Sequence, residues 1–538
     1  MPVGVAMHRR FSSILASTVA AALFGLFAPA EAANPQTARY ASDNEGIFWF
    51  VHISDTHVES VDSRSDSRFE QILDQYVPVI NPIAVFVTGD LVDGFYTLSQ
   101  IKGEWENYGR ILDDTQSSDP DWFFDSPGNH DAYSDRGLGW YLDKSLQGKT
   151  TGTALFAETV HCTKFGKYYF IATNSAGTFS HPLTYGNPQF TDIEKMKAGL
   201  EANSDAQLVF VFAHHHLVPH GDVAVARRFL GLVGMPDDPP GNSAEVLDQL
   251  DKHSAFYLHG HVHQYKEYKQ AGVVSIQIAS AVEDEAVCED KKCHLPKHLA
   301  NIGIGIVDHN AFVYGGTDSL NPWPFVAITA PVDMYLKGGG RPKHSWSSKL
   351  YPGDMLAYGA EKNPYAYDVC LDSKDNPVRA LVLNDGDISS VTVIIDGIKY
   401  GDLKPVEPTN TDEQAGIYAT TMNTKNLTPG EHKLTVAVKS GDKYREDTIT
   451  VNFIPGPCEP FVGIPTHPEA LEDGGASCGL ADVEDDTPDA GGSGGSGPCC
   501  FHDGFNCGPK AGAGSSGGIG AFVLLFGIVA FAASRRRD

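Results

Sequence analysis

The sequence predicts an α/β domain of two packed sheets flanked by helices, followed by an all-β sandwich and one C-terminal transmembrane helix. Three observations carry this expectation. Short apolar runs alternate with amphipathic stretches through the first half of the chain, the pattern of a layered α/β unit. From about Gly340 onward, short strands are spaced by turn signals such as Asn384-Asp385-Gly386, Asp396-Gly397, Pro429-Gly430 and Gly441-Asp442, which fits a sandwich of immunoglobulin-like type. Ile519 to Ala533 is apolar and uncharged, and Arg535-Arg536-Arg537 follows at once, as a spanning helix with a cytoplasmic basic end requires.

Taken in order, His8-Arg9-Arg10, the apolar run Ile14 to Phe27 and the small-residue sites around Ala28 to Ala32 read as a signal peptide over residues 1–32. Ile47 to Ile53 is a buried strand. Phe69, Ile72, Leu73 and Tyr76 then mark a helix that Pro78 and Pro82 should end. Ile83 to Val87 is the next strand, and Ile101, Trp105, Tyr108 and Leu112 lie on one helix face. Strands follow at Tyr168 to Ala172, Leu208 to Phe212 and Ala255 to Leu258, separated by helices around Met196 and Leu247. The alternating runs Val274 to Ile278, Ile302 to Ile306 and Phe312 to Tyr314 are expected to build the second sheet. The resulting division is an α/β domain at 45–335, an immunoglobulin-like sandwich at 340–456, an acidic Gly/Ser-rich stalk at 457–516 and a membrane helix at 517–534. The sandwich carries no cluster of ionisable residues that resembles a site.

A formal charge of −28 with no clustered Lys and Arg outside the two ends argues against a nucleic-acid surface. Nine cysteines in an exported chain permit disulfides. Cys288 with Cys293 is a plausible small loop, Cys370 with Cys458 would bracket the sandwich, and Cys162 stands alone beside a strand.

The chemistry concentrates at strand ends. Asp55-Thr56-His57, Gly89-Asp90, Gly128-Asn129-His130-Asp131, His214-His215-His216 and Gly260-His261-Val262-His263 each follow a short apolar run. Each fragment alone has an ordinary reading: Asp55 as a helix cap, Asp90 as a turn residue, a His pair as surface. Together they do not, since Gly-Asn-His-Asp alone occurs on the order of 10⁻⁶ per position at ordinary residue frequencies. Imidazoles and carboxylates collected at the carboxyl ends of α/β strands point to a metal site.

The order Asp-x-His, Gly-Asp, Gly-Asn-His-Asp, His, Gly-His-x-His resembles that of the calcineurin-like metallophosphoesterases over about Gly46 to Gly316. Asp55-Thr56-His57, Thr88 to Asp93 and Trp323 to Thr329, with the domain order, are similar to the transmembrane protein 62 group. The Cys499-Cys500 and Cys507 segment, apolar run and Arg cluster resemble a myxobacterial-type C-terminal sorting tail. The family resemblance implies a dinuclear centre of Mn, Zn or Fe. One ion would take Asp55, His57 and His263, the other Asn129, His214 and His261, with Asp90 bridging them. Any of His214 to His216 is a candidate for its position, and His214, first after the strand, is the choice here. His130 is expected to face the phosphoryl or leaving oxygen, with Asp131 either orienting its imidazole or capping a helix. The implied activity is hydrolysis of phosphate esters by an exported protein of the cell envelope or surface. The competing reading is a catalytically silent surface binding or adhesion protein on the same fold.

Overall fold

The computed structural model describes residues 46–456 apart from 61–62, 95–96, 134, 136, 153–155, 164, 178–188, 218–240, 283–286, 290–291, 295–299, 310, 340–355, 372–375 and 407–414. The expected signal peptide, stalk and membrane helix lie outside the described residues. Among those described, no helix is long and apolar enough to cross a membrane.

Two sheets face each other. The first contains β1 (Ile47–Ile53), β2 (Val85–Thr88) and β3 (Phe123–Ser126), all parallel, extended beyond β1 by the antiparallel hairpin Ile302–Asp308 and Ala311–Thr317. The second contains β4 (Phe156–Thr163), β5 (Gly166–Thr173), β6 (Leu208–Phe212), β7 (Phe256–His259), β8 (Lys266–Gln270) and β9 (Val273–Gln277), with the short strand Gly338–Gly339 at its edge. Strands β5, β6, β7 and β9 pair parallel in the order 5-6-7-9.

The period of two along β1 divides its side chains between two cores. Phe48 and Phe50 enter the inter-sheet core with Phe86, Phe124, Phe170, Phe210, Phe212 and Phe256. Trp49, Val51 and Ile53 point the other way, against the helix Leu98–Asp114 and its neighbours. The inter-sheet layer is dense in aromatic contacts, with Phe86 stacked on Phe212 at 3.9 Å and Phe50 edge-on to Phe170 at 5.5 Å. Aromatic rings on β1, β2, β5 and β6 thus fix the two sheets against each other, and with them the loops at the strand ends.

Three expectations about the α/β part change. The hairpin at 302–317 joins the first sheet rather than the second, because Ile302–Asp308 pairs with β1 from Asp308↔Ile47 to Gly303↔His52. Pro78 does not end the first helix. The chain passes through a π-helical turn, Ile72–Tyr76, into one more turn, Val77–Ile80, where proline at the start loses no intrahelical bond, and Asn81 in the left-handed region ends it. Cys162 is not solitary, since both it and Cys370 are disulfide-bonded.

The C-terminal part is a sandwich of a four-stranded and a five-stranded sheet. The four-stranded sheet begins with Phe325–Ala330, which pairs antiparallel with Asn376–Leu383, so this strand, expected within 45–335, is built into the sandwich. Phe325, Ala327, Leu381, Leu383 and Ile417 share a core with Ile302, Ile304 and Tyr76 of the α/β part. The two parts are also joined by a buried ion pair. Arg379 donates from Nε and Nη2 to Asp308 at 2.9 and 2.7 Å, and both side chains are fully buried. Removing Arg379 leaves the buried Asp308 carboxylate facing the His309 ring without its guanidinium. Arg379→Ala is therefore expected to cost about 3–5 kcal/mol in denaturant unfolding, while replacing both residues by apolar ones of similar volume should cost far less.

Candidate metal centre

All seven expected metal ligands lie at the carboxyl ends of β1, β2, β3, β6 and β7 and converge on one spot. The loop after β1 is laced to the loop after β2: Asp55 N donates to Gly89 O, His57 N to Asp90 O and Val58 N to Leu91 O, at 2.9 to 3.0 Å. Five of the seven residues hold left-handed backbone, with φ of 55° at Asp55, 41° at His57, 50° at Asp90, 74° at His261 and 55° at His263. Such conformations are costly for residues with a Cβ and gather where function requires a side chain to be aimed. Two motif glycines are required by close approach: a Cβ on Gly128 would overlap the Asp90 carboxylate, and one on Gly260 would overlap Asp55.

Two groups of ligand atoms result. In one, His263 Nε2 is 3.2 Å from Asp55 Oδ1 and 3.2 Å from His57 Nε2, which is 4.0 Å from Asp90 Oδ2. In the other, His214 Nε2 is 3.2 Å from Asp90 Oδ2, 2.9 Å from Asn129 Oδ1 and 3.1 Å from His261 Nδ1. Bonds of about 2.0–2.2 Å to a shared ion place neighbouring ligands roughly 2.9–3.5 Å apart, so most of these separations suit a cation at the centre of each group. Asp90 belongs to both.

The hydrogen-bond partners test that fit independently. His214 Nδ1 lies 2.7 Å from Thr88 O; a carbonyl only accepts, so Nδ1 carries a proton. The neutral ring then aims the Nε2 lone pair at two acceptors, Asp90 Oδ2 and Asn129 Oδ1. Asn129 is held in that sense because its Nδ2 donates to Tyr133 Oη at 2.7 Å. Three converging lone pairs require a cation. In the protein alone a proton takes that part: burial opposes charge on His214, but the Asp90 carboxylate outweighs it and the ring is pushed up to about 9. The donor set of nitrogen and oxygen fits a transition metal.

The carboxylates answer in the same sense. Burial disfavours ionised Asp90, yet His214 and His130 hold it well below the usual carboxylate range. Burial likewise opposes ionised Asp55, and His263 overcomes it. His57 is lowered to about 3 by burial and then by His130 and His263, so it stands neutral and ready to ligate.

Of the three consecutive histidines, His214 reaches Asp90 and Asn129. His215 Nδ1 instead meets Ser175 Oγ at 3.0 Å, although His215 also groups with His214 and His261 as a possible metal-holding set. The His216 ring stacks on His261 at 5.8 Å. His130 stands at the rim, 17% exposed, with Nε2 3.8 Å from Asp90 Oδ2.

Of the two roles expected for Asp131 the structure shows the cap. Its buried carboxylate accepts from the backbone N–H groups of Gly128, Leu91 and Val92 at 2.7 to 3.2 Å, clamping the loop instead of orienting the His130 ring. The group that meets His130 Nδ1, at 2.6 Å, is the Asp93 carbonyl. Sequence reasoning also missed Tyr133 and Thr88. Tyr133, four residues after Asn129 and so on the same helix face, carried a usable signal; a backbone carbonyl such as Thr88 O carries none.

A family model described as calcineurin-like phosphoesterase matches residues 48–265. Over 110 residues the chain is 28% identical to an Arabidopsis thaliana protein named as a metallophosphoesterase, a match covering 19% of this chain and 15% of that one. Solved structures that resemble it include GAP50, the anchor in the inner membrane complex of Plasmodium (13% identity, 60% of this chain, 98% of that one, TM-score 0.34). The protein TT1561 of Thermus thermophilus is similar at 12% identity, over 50% and 99% of the two chains, with a TM-score of 0.31. A phosphopantetheinyl hydrolase of Mycobacterium tuberculosis is similar at 13% identity, over 45% and 91%, with a TM-score of 0.27. On the strength of the family match, the chain carries a calcineurin-like phosphoesterase domain within residues 48–265.

Proposed function

We propose that this protein is an exported, membrane-tethered hydrolase of phosphate mono- or diesters that works with a dinuclear metal centre. The observation that carries the reading is the position of Asp90, whose Oδ2 is 3.2 Å from His214 Nε2 and 4.0 Å from His57 Nε2, between the two sets of ligands. Asp55, His57 and His263 would hold one ion, Asn129, His214 and His261 the other. When bound, such a pair of Mn, Zn or Fe ions supplies charge neutralisation and a water acidified toward ~7.

The residues of the chain do the rest. Asp55 and Asp90 are the two carboxylates in the ligand set, so two dications leave the site net positive, suited to a phosphate ester and not to a neutral substrate. His130 Nδ1 donates to Asp93 O, leaving Nε2 on the open side. There it would hold a proton toward the leaving oxygen. Export by the N-terminal leader, anchoring by residues 517–534, and the closer kinship with the transmembrane protein 62 group and with myxobacterial sorting tails belong to the same proposal, supported by the sequence features given above.

Full-length protein supplied with Mn²⁺ or Zn²⁺ is expected to release p-nitrophenol from p-nitrophenyl phosphate, its bis-ester, or both. Release from neither, by folded protein with two ions bound, would favour the silent binding role instead. Membrane fractionation tests the anchor: loss of residues 517–538 should release the protein into the soluble fraction.

A further inference from the structure

A buried carboxylate outside the ligand set faces the back of the peptide that holds His130. Glu104 lies in the helix Leu98–Asp114 and is 1% exposed. Its Oε2 accepts from Gly94 N at 2.9 Å. His130 Nδ1 donates to Asp93 O at 2.6 Å. The Asp93 carbonyl and the Gly94 N–H belong to one planar peptide group and point in opposite directions. Glu104 therefore grips one end of the same rigid unit whose other end fixes the His130 ring.

The rest of the loop makes that grip consequential. Leu91 N and Val92 N are tied to Asp131, so its first half is anchored. Gly94, in the left-handed region at φ 69°, packs so closely on the His130 backbone that a Cβ there would overlap the His130 carbonyl. Helix, peptide and ring form one chain of contacts in which each bond polarises the next. The second Glu104 oxygen, Oε1, is buried with no hydrogen-bond partner. A group kept dry at that cost, with one bond to a loop peptide, has its purpose in that bond.

We propose that Glu104 is a positioning residue for catalysis: through the 93–94 peptide it holds the His130 ring with Nδ1–H on the Asp93 carbonyl and Nε2 turned to the reacting phosphate. This rests on the hydrolase reading above. It adds that the active-site imidazole is oriented by a glutamate from the helix behind the sheet.

Two near-isosteric variants separate reach from mere packing. Glu104→Gln keeps an acceptor oxygen at the same distance. Burial pushes the Glu104 carboxyl up to about 7, so losing its charge should not weaken the fold. Glu104→Asp keeps the charge but withdraws the acceptor by about 1.5 Å, one methylene. In metal-loaded full-length protein, Glu104→Asp should lower kcat for phenyl phosphate, whose leaving group needs a proton, about tenfold to a hundredfold with KM and bound metal unchanged. Glu104→Gln should stay within about threefold of wild type. In a His130→Ala background Glu104→Asp should have no further effect on kcat, because its target is gone.

Equal loss in both backgrounds, or equal loss in Gln and Asp variants, would overturn the proposal. The ring ¹⁵N spectrum of His130 in its neutral form reads the same claim without turnover: a Nδ1–H tautomer in wild type and Glu104→Gln, and a mixture in Glu104→Asp. An unchanged tautomer in Glu104→Asp would overturn it. A silent wild type with that tautomer shift intact would sink the hydrolase reading alone.

Discussion

Asp90→Asn is expected to lower turnover on the order of 10³-fold or more and to strip both ions from the centre. The substitution preserves shape and removes charge. Asp90 Oδ1 accepts from His130 N at 2.8 Å, and Oδ2 faces His214 Nε2 at 3.2 Å. An amide offers only one oxygen. If that oxygen keeps the His130 N–H, the nitrogen faces the ions and repels them; if it turns inward, a donor meets the His130 N–H. Neither orientation satisfies both sides. Two nearby dications also lose a carboxylate set between them. Metal analysis after dialysis, alongside the kinetics, is the measurement. Two ions retained per chain in the variant would contradict the bridging assignment, whatever happened to the rate.

How much of this was legible beforehand differs from residue to residue, and the differences have physical causes. Strands at Ile47–Ile53, Leu208–Phe212 and Phe256–His259 announced themselves because runs buried on both faces must be apolar. The ligand strings were legible because metal chemistry restricts residue type as well as position. The hairpin at 302–317 was recognised as strands but not assigned to its sheet, since a period of two records which face is buried and not which neighbour is paired. β4, Phe156–Thr163, went unseen because a half-exposed edge strand carries polar residues such as Glu158 and His161 without clean alternation. Asp131 stayed open between two roles because a carboxylate beside a histidine reads alike whether it serves the ring or the backbone. Only the direction of its oxygens, toward Gly128 N, Leu91 N and Val92 N, decides. Glu104 had no signal at all: its partner is a backbone N–H, and nothing in a sequence marks which peptide a buried acid will meet.

His130→Ala separates metal binding from chemistry. The ring's Nδ1 is engaged by the Asp93 carbonyl, and its Nε2, 3.8 Å from Asp90 Oδ2, groups with His57 and Asp90 as a possible metal-holding set, so the variant decides between the two roles. What ties residue 130 to the bridging carboxylate is its backbone N–H, donated to Asp90 Oδ1, and alanine keeps that. The variant should therefore bind two ions with near-normal affinity and yet lose about 10²–10⁴ in kcat, the range for a general acid. The loss should grow with the basicity of the leaving group, since a good leaving group such as p-nitrophenolate departs without a proton and an alkoxide does not. Comparing p-nitrophenyl, phenyl and alkyl phosphates measures this directly. A uniform loss across the three would assign the ring to phosphoryl charge stabilisation and not to proton transfer. Loss of metal together with activity would instead make residue 130 part of the ligand scaffold, and the division between holding the ions and moving the proton would have to be redrawn.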